Sequence, residues 1–323
     1  MQKTSLNKLI SDALDMLKRL NKAANRKISE NTTSLQSCSP PLELPIGVSE
    51  RELFDFVTSI RVEDAPENEM KAYGEHDFRR FVYTFGLAKD LKGRCLELGS
   101  NPYFTTLLLR RFTELDIFLA NYFSDGLPKE SSQVIKYREL FSQEIKEEVL
   151  HYKHFNIERD PFPYPDETFD VVIFAEIIEH LQNDPCQVLR EIKRVLKPRG
   201  TLILTTPNIG RLENITRIIS GANIYDPYSG YGPYGRHNRE YNRHELDQLL
   251  RFEAFEPIHH FTADVHGNNA GNFFDIKIIA PLLKFREDDL GQYIFLKALN
   301  SGPKSTRKRP AWLFRSYPAD ELT

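Results

Sequence analysis

Glu176, Glu179 and His180 stand at positions i, i+3 and i+4 of the stretch Ala175-Glu176-Ile177-Ile178-Glu179-His180-Leu181. On a helix these three project to one side, while Ile177, Ile178 and Leu181 face the core. Two carboxylates and an imidazole so placed can hold or move a proton. His180, with a reference pKa of about 6.5, is the candidate base for a hydroxyl nucleophile. Its structural alternative is a histidine that fixes the helix behind a site. Further on, Tyr225–Tyr241 is unusually rich in Gly and Tyr. Tyr228, Tyr234 and Tyr241 offer stacking surface, Arg236 and Arg239 can hold an anionic group, and His237 can reach the same place. The alternative there is a flexible low-complexity turn.

These groups need a scaffold. In Cys95-Leu96-Glu97-Leu98-Gly99-Ser100-Asn101-Pro102-Tyr103-Phe104, β-formers run into Gly99, and Leu107, Leu108, Leu109 and Phe112 follow at helical spacing. That pattern predicts a buried strand, a tight turn and a helix start. A ligand can approach the backbone at such a glycine, with the Glu97 carboxylate beside it.

From residue 94 onward strands and helices alternate. Strands are expected at 94–98, 116–120, 152–157, 169–175, 201–205, 256–262 and 293–296, and helices at 103–113, 177–196, 209–220 and 243–252. A helical pattern is also read within 123–148. The fold class is α/β, a Rossmann-like, mostly parallel sheet with helices on both faces. Ligands in such sheets bind at the carboxyl ends of the strands, near the switch in strand order. Residues 1–37 read as an amphipathic helix with a basic face, suited to a homodimer contact, and 38–74 as a linker and helix. The main domain is 75–298, with substrate-side insertions at 221–242 and 266–290, and 299–323 is a C-terminal arm.

Composition narrows the class. A chain of 323 residues can bury a large core. A net charge of -3 gives no general pull toward nucleic acid or anionic membrane. Cys38, Cys95 and Cys186 form neither a disulfide framework nor a zinc knuckle, and fit a reducing compartment. No apolar run reaches the roughly 18 residues of a membrane span. The expected location is cytoplasmic.

A dinucleotide site would need further glycines where Asn101 and Tyr103 stand, and a P-loop would need Gly-Lys-Ser/Thr. With both absent, three segments resemble the class I, Rossmann-like S-adenosylmethionine-dependent methyltransferases. They are Glu97–Asn101, Phe169–Leu181 and Leu196–Asn208, and the likeness spans roughly residues 75–298. The resemblance implies an enzyme that binds S-adenosylmethionine. Glu97 would hold the methionine amino group, and Gly99, Ser100 and Asn101 would form the turn beneath it. Ala175 and Glu176 would flank the methionine. Asn121 stands where the family carries a ribose-binding acid, and Asn156 stands near its adenine-contacting acid, with Glu158 two residues on. An amide grips a ribose more weakly than a carboxylate.

With Glu176, Glu179, His180 and His237 as catalytic candidates, the expected reaction is O-methylation of a small-molecule or carbohydrate-like hydroxyl. Tyr228, Tyr234, Arg236, Arg239 and Tyr241 would bind the acceptor. A non-catalytic methyltransferase-like scaffold is the alternative, motivated by the two missing acids. The set Glu176, Glu179, His180 and His237 also resembles the metal ligands of RNA 3′-terminal 2′-O-methyltransferases. A divalent metal is therefore conceivable but not favoured, since the acidic chain lacks an extended basic surface. Asn101-Pro102-Tyr103-Phe104 resembles the box of DNA amino-methylating enzymes, but stands after the wrong strand, so DNA is not expected as a partner.

Overall fold

The computed structural model describes residues 39–142, 144–230, 232–303 and 308–323. The helix expected at 1–37, with its dimer contact, lies outside the described residues. Among the described residues nine strands form one sheet: β1 Arg61–Val62, β2 Lys92–Leu98, β3 Glu114–Asn121, β4 Glu130–Arg138, β5 Ile145–His154, β6 Phe169–Ala175, β7 Leu196–Pro207, β8 Phe255–Ala263 and β9 Tyr293–Asn300. Their order is β1-β4-β5-β3-β2-β6-β7-β9-β8. The central run from β5 to β7 is parallel, and antiparallel strands flank it on both sides. After β2 the chain builds outward through β3, then returns to the other side with β6. The crevice this leaves at the ends of β2 and β6 is where a ligand fits.

Alternation along the strands sorts the core into two layers. Ile173 and Ile203 face a cluster with Leu53, Phe56, Phe81, Val82, Phe85, Leu107 and Leu108 from the helices Glu50–Val57, Phe78–Ala88 and Phe104–Phe112. Val172, Phe174, Leu202 and Leu204 face the other way, against Val188, Leu189, Ile192, Leu246 and Leu249 of the helices Pro185–Val195 and Arg243–Phe252. Among the described residues no helix is long and apolar enough to cross a membrane. The arm packs on this second layer through Leu313 and Phe314, and Arg309 pairs with Asp184 at 2.7 Å.

Two local expectations need correction. The stretch 123–148 holds no helix among its described residues; β4 and the start of β5 form an antiparallel hairpin there. Ile135, Tyr137, Leu150 and Tyr152 are buried at period two, while Lys136 and Glu147 pair at 3.2 Å on its outer face. The helix expected from 177 begins only at Pro185, because Asp184 caps it through the Cys186 and Gln187 amides and proline suits the first helical position. Residues 178–180 form a single tight turn instead. The segment 38–74, read as a linker and helix, carries the helix Glu50–Val57 and most of a second, Glu67–His76.

Candidate active site

The bend after β2 is fixed by its own side chains. Gly99 adopts φ +62°, and a Cβ there would lie 2.8 Å from Ile177 Cδ1. Asn121, at the end of β3, accepts hydrogen bonds from Ser100 Oγ at 3.1 Å and the Asn101 amide at 2.9 Å. Its amide nitrogen donates to the Tyr103 hydroxyl at 3.1 Å. Asn121 thus shapes the turn, and its donation to Tyr103 is one that an ionised acid could not make. Tyr103 and the Asn101 side chain both donate to Gln133 Oε1 of β4, at 2.6 and 3.0 Å.

Glu97 is buried under the following helix and accepts from Thr106 Oγ1 at 2.6 Å. Burial pushes its carboxyl up to about 8, against the opposing pull of the Thr106 bond. An ammonium group brought beside it would restore its charge. With its folded pKa above the ordinary 4.5, Glu97 favours the fold most below pH 4.5, and that contribution is lost as pH rises through about 8. Glu97→Gln should therefore flatten the decline of melting temperature over that window in the ligand-free protein. Calorimetric scans at stepped pH check this; parallel curves for the two proteins would refute it.

A slot of about 170 Å³ runs along the strand ends, lined by Leu98, Gly99, Asn121, Phe155, Asn156, Glu158, Glu176, His180 and Tyr234 among others. Asn156 donates to the Tyr234 hydroxyl at 3.0 Å, which draws that ring over the slot. Glu158 holds the Gln182 and Asn183 amides with Oε1, at 2.8 and 2.9 Å. Its Oε2 is buried without a partner. A buried acceptor left unmet is costly, and a ligand N–H would meet it.

Glu176 leaves β6 in the left-handed region, φ +56°, an uncommon conformation for a side-chain-bearing residue. It accepts from Thr205 Oγ1 at 2.7 Å, and the wholly buried Glu179 accepts from Thr206 Oγ1 at 2.9 Å. Burial raises both carboxyls above their ordinary range. Arg80 opposes the rise at Glu176, and His237 opposes it at Glu179.

The loop bearing His237 is clipped onto the turn bearing His180. Glu179 O accepts from the Asn238 and Arg239 amides at 2.7 and 3.1 Å, and the Asn238 side chain donates to His180 O at 2.7 Å. His180 Nδ1 lies 2.9 Å from the Arg236 carbonyl, which can only accept. The ring proton therefore sits on Nδ1 and Nε2 carries the lone pair. Burial keeps this histidine below its ordinary pKa. His237 differs. Burial works against its charged form, but Glu240 Oε1 at 2.8 Å from Nδ1 and the charge of Glu179 outweigh it, and its pKa is raised. Arg211 holds Glu240 in turn. The two rings meet edge to face with centroids 5.0 Å apart. Glu179, His180 and His237 offer ligand atoms that all lie within 4.8 Å of one another, and Glu179 Oε1, 3.8 Å from His180 Nε2, is buried without a hydrogen-bond partner. The trio has the donor set for a divalent cation as well as for proton transfer.

The expected acceptor residues separate. Tyr234 lines the slot. Arg236 contributes its carbonyl, while its guanidinium sits over the exposed ring of Tyr228, 5.0 Å away and outside the slot. Arg239 pairs with Glu245 at 2.8 Å, and Tyr241 is buried in the core, so neither faces the cavity. Beyond His237 opens a second cavity of about 340 Å³, lined by Arg211, Glu213, Arg217, Tyr225, Glu240 and His266 among others. The sequence reading passed over Glu240, Arg211 and Arg80. A Glu three residues after His237, and an arginine inside the apolar run Phe78–Phe85, were the available signals.

A family model described as a methyltransferase domain matches residues 129–204. A Mycolicibacterium smegmatis protein named a probable S-adenosylmethionine-dependent methyltransferase is 36% identical over 94 residues, 29% of this chain and 31% of its own. A Mycobacterium tuberculosis protein of the same description is 36% identical over 96 residues, 30% of each chain. This chain thus spans about a third of the length of the curated relatives it matches. Among solved structures, a SAM dependent methyltransferase from Archaeoglobus fulgidus is 16% identical, with 69% of this chain and 90% of that one covered at a TM-score of 0.39.

Proposed function

We propose that the chain is a class I, Rossmann-like S-adenosylmethionine-dependent methyltransferase, a reading supported by its partial likeness to that family, and that it transfers the sulfonium methyl of S-adenosylmethionine to a hydroxyl of a small, carbohydrate-like acceptor. The observation that carries this reading is the meeting of two cavities. The slot reaches Glu176 and His180, the polar groove reaches His237, and the two histidine rings touch. The cofactor brings a methyl that is already activated, so the protein has to align, desolvate and take up a proton.

The residues of the slot suit a nucleoside. Glu158 Oε2 is placed to accept from an adenine amino group, the Gly99 bend gives close backbone approach, and Glu97 with Glu176 can balance a methionyl ammonium. The slot is smaller than the roughly 300–1,000 Å³ of ordinary ligand pockets. Admission would require Tyr234 to release Asn156 and swing outward. On the groove side, His237 takes the acceptor proton on Nε2, with Glu240 behind Nδ1 to hold the ring and stabilise its charged form. His180 keeps the loop seated and presents a neutral face.

Titration calorimetry with S-adenosylhomocysteine tests the first half of the reading. Binding at a single site is expected, and Glu158→Gln should weaken it about tenfold, by replacing one acceptor oxygen with a donor. No heat with either S-adenosylmethionine or S-adenosylhomocysteine would end both this reading and the scaffold alternative.

A further inference from the structure

We propose that the groove beside His237 is an acceptor subsite for a sugar bearing an anionic substituent, with Arg217 as the counter-charge and Glu213 as the clamp on a ring hydroxyl. The proposal rests on the methyl-transfer reading above and adds the class of acceptor. At about 340 Å³ the groove has room for a monosaccharide. One wall is the helix Leu212–Ile219, and the exposed ring of Tyr225 stands on the rim.

Glu213 is 5% exposed and lines the groove. Its Oε1 accepts from Gln292 Nε2 at 2.7 Å, which leaves Oε2 buried without a partner. A carboxylate oxygen in that state calls for a donor, and a sugar hydroxyl is one. Arg217 follows four residues later, on the same face of the helix. Its guanidinium rests 4.6 Å from the centre of the Phe273 ring, and no ion pair engages it among the described residues. Arg211, the other arginine of the groove, is already engaged by Glu240. A cation at a cavity wall, steadied by a ring and free of any carboxylate, is suited to a ligand anion. With the ring hydroxyl on Glu213 and the anion on Arg217, a neighbouring hydroxyl faces His237 at the inner end. A neutral sugar would leave Arg217 unanswered. A carboxylate and a phosphate present the same oxygen chemistry to it, and the experiment separates them.

Saturation-transfer NMR on the full chain, with S-adenosylhomocysteine present, uses galacturonate, glucose 6-phosphate and glucose as probes. At least one anionic sugar should bind about tenfold more tightly than glucose. A preference confined to galacturonate identifies a carboxylate, and one confined to the phosphate ester identifies a phosphate. Arg217→Gln should abolish the preference, and Glu213→Gln should weaken all three sugars. Both variants should keep their affinity for S-adenosylhomocysteine by calorimetry, which also shows that they fold. Equal binding of glucose and the anionic sugars, a preference that survives Arg217→Gln, or no transfer to any sugar overturns the proposal. If S-adenosylhomocysteine itself fails to bind, the methyl-transfer reading falls; if it binds and no charge preference appears, only the acceptor assignment falls.

Discussion

His237→Ala should lower kcat by about 10²- to 10⁴-fold, the usual range for a lost general base, with the affinity for S-adenosylmethionine nearly unchanged. The asymmetry follows from placement: His237 lines the acceptor groove and is absent from the slot. Its raised pKa fixes the sign of the pH dependence. A base must be neutral to accept a proton, so kcat/KM should climb with pH through a value above the ordinary 6.5 of histidine. Glu240→Gln removes the partner on Nδ1 and should move that limb to lower pH while leaving activity measurable. The check is S-adenosylhomocysteine release across a pH series for the three proteins. An unshifted limb in Glu240→Gln, or full turnover in His237→Ala, would remove His237 from this role. Stripping divalent ions separates the two chemistries the trio could serve. Activity that survives chelation keeps His237 as a base; activity lost on chelation and restored by Mg, Mn or Zn makes it a ligand.

Arg80→Met should destabilise the protein by about 3 kcal/mol, the low end of the range for breaking a buried ion pair. Arg80 and Asp77 are 5% and 4% exposed, and their charged atoms lie 3.0 Å apart. Removing the guanidinium strands the Asp77 carboxylate beneath the helix layer. The cost stays at the low end because His76 Nδ1 still reaches Asp77 Oδ1 at 2.9 Å. The double change Asp77→Leu with Arg80→Met should recover much of the loss, since it removes both charges at once. Denaturant titrations of the two variants decide it. A single variant as stable as the native chain, or a double variant worse than the single, would contradict the account. Arg80 also opposes the burial-driven rise at Glu176, so in Arg80→Met that carboxyl should take up its proton at higher pH still.

The strand-turn-helix at Gly99 was readable because each of its signals is local: an apolar strand, one glycine, then helical spacing. The β6 end was readable for the same reason, since Glu176, Glu179 and His180 are neighbours in sequence. The hairpin of β4 and β5 was not, because charged residues on its outer face interrupt the alternation and find their partners only across the strands, as Lys136 does with Glu147. Asn121 was read as a cofactor contact in the place of a ribose-binding acid, and its part in the turn was not foreseen. Its partners within the fold, Ser100, Asn101 and Tyr103, come from another strand end and become visible only once β2 and β3 are paired. The groove was hidden more deeply. Arg217, Glu213, His237 and His266 come from three separate segments, and no spacing rule joins them.

Gln133 makes the outer hairpin a partner of the ligand bend. One oxygen on β4 receives both Tyr103 and Asn101, and Tyr103 in turn receives Asn121. The geometry beneath Gly99 is thus set in part by a strand three positions away from β2 in the sheet. Gln133 acts on the bend although it lines neither the slot nor the groove. A graft that exchanged the hairpin for a relative's would retune the bend unless an equivalent oxygen came with it.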